Sequence, residues 1–250
     1  MKSESELLSE LQAAIKNTVS EKKIGIAFSG GIDSTLLAKI CSDLGYQVTL
    51  LTIGFSESHD ILFSKQVNEQ MKLPHKILEI ETKTFQDVSS KIKEKIKTDN
   101  LSWIENSIAF YYVTKLANSL GLDVVLTANG IDELFCGYNA YRDTYKEGEK
   151  AVLELMDSKI DNELKMMKVI SQICNENGVT ILQPFLSAQF IEFAKKIPLA
   201  HKIHGSEDLM RKHIIRKVGE TIGVPLIAVN QRKKAVQYGS LIHKALIKSR

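Results

Sequence analysis

The sequence predicts an α/β protein: a parallel sheet with crossover helices on both faces, continued by a mainly helical C-terminal part. Three observations predict it. Short apolar runs of the length of buried strands alternate with helical segments of ten or more residues, the pattern that joins parallel strands. Two of these runs empty into glycine-bearing loops that carry hydroxyls, amides and carboxylates. The 250 residues, 44% hydrophobic and 25% charged with 14 Gly and 4 Pro, have an ordinary globular composition and the length for one substantial core.

The elements follow in order. Leu7, Leu8, Leu11, Ile15 and Val19 recur at spacings of three and four, which predicts a lead-in helix over residues 3–22. Residues 23–28 are a mostly apolar strand ending in Ser29-Gly30-Gly31, and residues 33–44 a helix closed by Gly45. Strands at 47–53 and 76–80 alternate with helices at 57–71, 85–97 and 103–120, the last closed by Gly121. Residues 122–128 form another buried strand, which leads into Asn129-Gly130-Ile131-Asp132-Glu133. Beyond Arg142 the pattern is mainly helical, with breaks near Asn177-Gly178 and at Pro184. With no repeat and no Pro/Gly/Ser linker, the expected organisation is an N-terminal helix (1–22), an α/β core (23–142) and a helical remainder (143–250) packed on the sheet.

Composition excludes several classes. Thirty-three basic against thirty acidic residues leave a net charge of +3, too little for broad attraction to nucleic acid or an anionic membrane. Cys41, Cys136 and Cys174 are odd in number and far apart, without a C-x-x-C pair, which predicts a reducing cytoplasm and no zinc or redox dithiol. No apolar stretch follows the opening Met1-Lys2-Ser3, and no run of about 18 apolar residues occurs, so neither export nor membrane spanning is expected. His201, His204 and His213 lack zinc-site spacing and read as surface or capping residues. Phe110-Tyr111-Tyr112 reads as core, and Lys91, Lys93, Lys95 and Lys97 as a solvated helix face.

In an open parallel sheet ligands bind beyond the carboxyl ends of the strands. There the run Ser29-Gly30-Gly31-Ile32-Asp33-Ser34-Thr35 offers two glycines, hydroxyls and a helix N-terminus to one anion, which makes it a phosphate cradle of neither the Walker A nor the G-x-G-x-x-G type. A carboxylate, Asp33, inside an anion cradle implies a cation between them, and Asp132 at another strand end is positioned to share a magnesium ion with it. The competing reading is that Asp33 or Ser29 merely caps the helix.

Ser29-Gly30-Gly31-Ile32-Asp33-Ser34 resembles the pyrophosphate-loop signature of the N-type ATP pyrophosphatases, whose fold is adenine nucleotide alpha hydrolase-like. Further segments, in order, are similar to the synthetase domain of asparagine synthetases: Leu51-Thr52-Ile53-Gly54-Phe55 with Asp60, Gly130-Ile131-Asp132-Glu133 through Gly137-Tyr138, Pro184-Phe185-Leu186, Lys212 with Ile215-Arg216, and Arg232-Lys233-Lys234. The resemblance implies ATP over Phe28, Ser29, Gly30, Gly31, Asp33, Ser34, Ile53, Gly54, Asn129 and Gly130, magnesium on Asp33 and Asp132, and Lys234 in the place of the catalytic lysine. It implies amide formation, with aspartate and ammonia as expected substrates, an acyl-adenylate intermediate, and AMP and pyrophosphate as products.

Two positions depart from the pattern. Asparagine synthetases carry at position 129 a glutamate thought to help deprotonate ammonia, and here Asn129 is left with a hydrogen-bonding role, since an amide is no general base. Ser187 replaces the aspartate that usually follows the P-F-L motif. The first strand also begins within about two dozen residues of Met1, without a preceding glutaminase domain, so ammonia is expected from solution or from a separate glutaminase subunit. A homo-oligomer stays open. The rival readings are a ligase of the same chemistry acting on another acid or amine, a tRNA-modifying enzyme with the same loop, and a noncatalytic nucleotide-binding subunit.

Overall fold

The computed structural model describes residues 2–232 and 234–248. Helix α1 (Lys2–Thr18) leads into β1 (Lys23–Ala27), α2 (Ile32–Asp43), β2 (Gln47–Gly54), α3 (His59–Met71) and β3 (His75–Glu79). There follow α4 (Thr82–Ile96), α5 (Leu101–Ser119), β4 (Val124–Leu126), the short α6 (Ile131–Leu134) and α7 (Ala140–Tyr145), the long α8 (Glu149–Glu176) and β5 (Thr180–Leu182). The chain closes with α9 (Ala188–Lys196), α10 (His213–Thr221), α11 (Leu226–Val229), α12 (Val236–Gly239) and α13 (Ile242–Lys248).

All strand pairs are parallel, in the order β3-β2-β1-β4-β5, with Ile26 opposite both Leu50 and Leu126. Adjacent strand residues serve opposite layers. Leu50, Val124 and Leu126 join the core shared with α1, α2 and α10, whereas Leu51, Ile53 and Val125 join the core shared with α4 and α5. This is the expected α/β architecture with helices on both faces. The chain beyond Arg142 is mainly helical, as expected, but it also returns one strand to the sheet. β5 pairs with β4 through Ile181 opposite Val125. Three residues between Gly178 and Pro184 are too few for a readable period, so the sequence pattern missed this strand.

Because β1 lies mid-sheet, with β2 on one side and β4 on the other, the loops after β1 and β4 leave neighbouring strands side by side. A crevice opens at this topological switch. Among the described residues no helix is long and apolar enough to cross a membrane.

Candidate active site

The crevice is a cavity of about 260 Å³ lined by both loops, by α5 and α8, and by the segment leading into α12. Part of its lining is apolar, built from Ala27, Phe28, Leu51, Ile53 and Val236. Thr52 Oγ1 donates to the Phe28 carbonyl at 2.7 Å and lies 2.8 Å from His75 Nε2. Burial, and then the Lys65 charge, push the His75 imidazole down to a pKa of about 4, so it is neutral where it supports β1.

The cradle is held together by its own hydroxyls. Ser34 Oγ accepts from the Ser29 N–H at 3.3 Å and donates to the Gly31 carbonyl at 3.2 Å, while Thr35 Oγ1 reaches the Gly30 and Gly31 carbonyls at 3.1 and 2.8 Å. Gly31 forms the N-cap of α2 in extended backbone and its N–H donates to Ser29 Oγ at 3.4 Å, so Ser29 does brace the start of the helix, while the Asp33 carboxylate is engaged by Lys212. Asp33 is turned towards Lys212.

Asp33 Oδ2 lies 2.6 Å from Lys212 Nζ, and Asp132 Oδ1 lies 2.5 Å from the same ammonium, whose side chain is only 2% exposed. The two carboxylates that the sequence pairs around a magnesium ion therefore converge on a resident cation. Lys212 and its neighbour Arg211 both adopt left-handed backbone, φ 54° and 50°, a strained arrangement of the kind that clusters at functional sites. Gly137 makes room for this pair: a Cβ there would stand 1.8 Å from Asp132 Oδ1 and 2.5 Å from Lys212 Cε. Asp33 Oδ1 is buried and accepts no hydrogen bond among the described residues. Two converging carboxylates with such an oxygen form a hard-oxygen donor set that suits magnesium.

In the loop after β4, Glu133 faces inward as the loop's own brace. It accepts from the Gly130 N–H at 3.0 Å and from the Tyr138 hydroxyl. Burial, and then the charges of Glu133, Asp132 and Glu163, hold the Tyr138 phenol well above its ordinary pKa, so it stays a donor. Gly130, at φ 104°, lies against the backbone of the P-F-L segment: a Cβ would meet the Phe185 carbonyl oxygen at 2.6 Å. Asn129 Nδ2 donates to Glu163 Oε1 of α8 at 2.5 Å.

Of the residues expected to hold ATP, Phe28, Ser29, Asp33, Ser34, Ile53 and Asn129 line the main cavity, together with Asp132 and the exposed Lys234. Gly31 lines an adjoining recess that also includes Lys212, Arg232 and Lys234. Gly30, Gly54 and Gly130 line neither; they pack against Ser64, Ser58 and Phe185 and shape the loops from behind. Lys233 lies outside the described residues. Phe110 is buried, as a core residue should be, and also faces the cavity.

The asparagine synthase family model matches residues 6–175. The chain belongs to the asparagine synthase family. A Methanocaldococcus jannaschii protein assigned as a glutamine-hydrolyzing asparagine synthetase is 29% identical over 95% of this chain and 50% of its own length. Asparagine synthetase B of Escherichia coli, also named glutamine-hydrolyzing, is 23% identical over 90% of this chain and 44% of its own length. The chain thus spans about half the length of these family members. Among solved structures, the NMN synthetase of Francisella tularensis covers 94% of this chain and 75% of its own, at 15% identity and a TM-score of 0.49.

Family motifs pointed to Lys212, but its position between the two aspartates emerges only in three dimensions. Lys159, Asn162, Glu163 and Met166 were missed; they are one helical face of α8, and all four line the cavity. The sequence signal was a carboxylate on the buried stripe of α8, among Met156, Ile160, Met167 and Ile170. Two of the histidines expected at the surface or in caps have a shared task. His204 and His213 stack at 3.5 Å, and His213 Nε2 lies 2.6 Å from Asp208 Oδ2. Asp208 also accepts the backbone N–H groups of His204, Met210 and Arg211, so the cluster shapes the turn that delivers Lys212.

Proposed function

We propose that the chain is an ATP-dependent amide-forming ligase, which makes asparagine from aspartate and ammonia through an acyl-adenylate and releases AMP and pyrophosphate. The observation that carries this reading is the convergence of Asp33 and Asp132, from two separate loops, on the buried Lys212 ammonium at the open side of the phosphate cradle.

The apolar lining at Phe28, Leu51 and Ile53 suits an adenine ring, and the cradle's backbone with the α2 N-terminus suits its phosphates. Asp33 and Asp132 would hold magnesium, which when bound neutralises phosphate charge and aligns the phosphate oxygens. Lys212, fixed by both aspartates, places its Nζ at that point. An oxygen of the substrate carboxylate attacks the α-phosphorus; the bond to the bridging oxygen breaks, and pyrophosphate leaves with the electron pair. Lys234, exposed on the rim of both recesses, is positioned to stabilise the negative charge that develops on this leaving group. An amine then displaces AMP from the acyl carbon. Ammonia would arrive from solution or from a separate glutaminase subunit, and the reading calls for no nucleic-acid or membrane partner.

The test is aspartate-dependent exchange of labelled pyrophosphate into ATP by the purified protein with magnesium. Exchange with aspartate is the expected result. Exchange only with another carboxylic acid would replace aspartate while keeping the chemistry, and no exchange with any acid would overturn the ligase reading.

A further inference from the structure

Amide formation produces a proton on the attacking nitrogen, and the group at position 129, an amide, cannot accept it. The structure brings a carboxylate to the same place from another element. Glu163 is 4% exposed and lies on the α8 face that lines the cavity, and its Oε1 accepts a 2.5 Å hydrogen bond from Asn129 Nδ2 across 34 residues of sequence. Asn129 and Glu163 line the same cavity as Asp132 and Tyr138.

We propose that Glu163 is the proton acceptor for the attacking amine, oriented by Asn129, so that the base of this site comes from α8 rather than from the loop after β4. The inference rests on the adenylate-forming reading above. In the step itself the lone pair of the amine nitrogen forms the bond to the acyl carbon. The bond from that carbon to the AMP oxygen breaks, with its electron pair leaving on AMP, and one nitrogen-bound proton passes to a Glu163 carboxylate oxygen and from there to solvent. The alternative is that Glu163 only anchors Asn129. A glutamine in its place separates the two, because it keeps the shape and an accepting oxygen but cannot take a proton.

The experiment follows both half-reactions of E163Q, using the acid that supports exchange in the wild type and ammonia as the amine. Amide formation is expected to fall by about 10²- to 10⁴-fold, the usual worth of a general base, while pyrophosphate exchange falls far less. A sulfamoyl analogue of the acyl-adenylate should bind E163Q as tightly as the wild type by calorimetry. The double variant N129E/E163Q, which moves the carboxylate to the loop, should recover part of the lost amide formation. Amide formation that survives in E163Q would overturn the proposal, because an anchor suffices. Loss of exchange or of analogue binding to the same extent would overturn it as well, because Glu163 would then serve binding or folding. A wild type without exchange for any acid would overturn the ligase reading, and this inference with it.

Discussion

The two sides of the cavity are built in opposite ways. The cradle side is one contiguous stretch, Ser29 to Thr35, that presents backbone and short hydroxyls fixed by bonds within the turn itself. The facing side is assembled from long side chains on distant segments: Lys159, Asn162 and Glu163 from α8, Lys212 from the entry to α10, and Lys234 before α12. A phosphate chain is the same in every ATP, and a local backbone turn is enough to hold it. On the proposed reading, the acid, the amine and the proton traffic fall to side chains that can be exchanged without rebuilding the turn.

The sharpest way to break this division is to remove the ion that joins the two sides. Lys212→Met leaves Asp33 and Asp132 facing each other without their shared buried cation, and should destabilise the fold by about 3–5 kcal/mol. Magnesium should restore part of that loss in denaturant titrations, and a magnesium-independent midpoint would argue against a metal at these aspartates. Lys234→Ala should instead leave stability unchanged, because Lys234 is exposed, and slow exchange by about 10²- to 10³-fold in single-turnover measurements.

A smaller effect tests the support beneath the cradle. His75 is held neutral in the fold, with a pKa of about 4 against an ordinary 6.5. Its folded value is the lower of the two, so the unfolded chain binds the extra proton and stability is lost as pH falls from 6.5 towards 4. The loss from this residue, discounted for its partial exposure, is about 2 kcal/mol, and urea midpoints of His75→Leu should show a flatter acid limb. The smallest effect belongs to the turn's internal bonding: Thr35→Val removes the hydroxyl bonds to the Gly30 and Gly31 carbonyls, the second of which keeps the Ser34 hydroxyl and the residue 35 N–H, and should cost about 1 kcal/mol by thermal unfolding.

The same contrast explains what was legible in the sequence. The cradle could be read because its glycines, hydroxyls and Asp33 are consecutive and follow a strand of obvious apolar character. Asp132 was legible because it also follows a buried strand. Glu163 was visible only as a misfit, a carboxylate on an apolar helical stripe, and nothing local to it names Asn129 as its partner. Lys212 stood out by family resemblance, yet its contact with Asp33 spans 179 residues and depends on α10 docking beside α2. β5 was hidden by its length, and the back-side glycines by the fact that packing against Ser58, Ser64 or Phe185 leaves no mark on neighbouring sequence.

Arg216 on α10 adds a mechanical consequence. Its guanidinium donates to the carbonyls of Met210 and Arg211 on one side, and of Val229 and Gln231 on the other. The stretch that ends in the buried lysine and the stretch that leaves α11 thus hang from one planar group, and replacing Arg216 would strip both of that shared support.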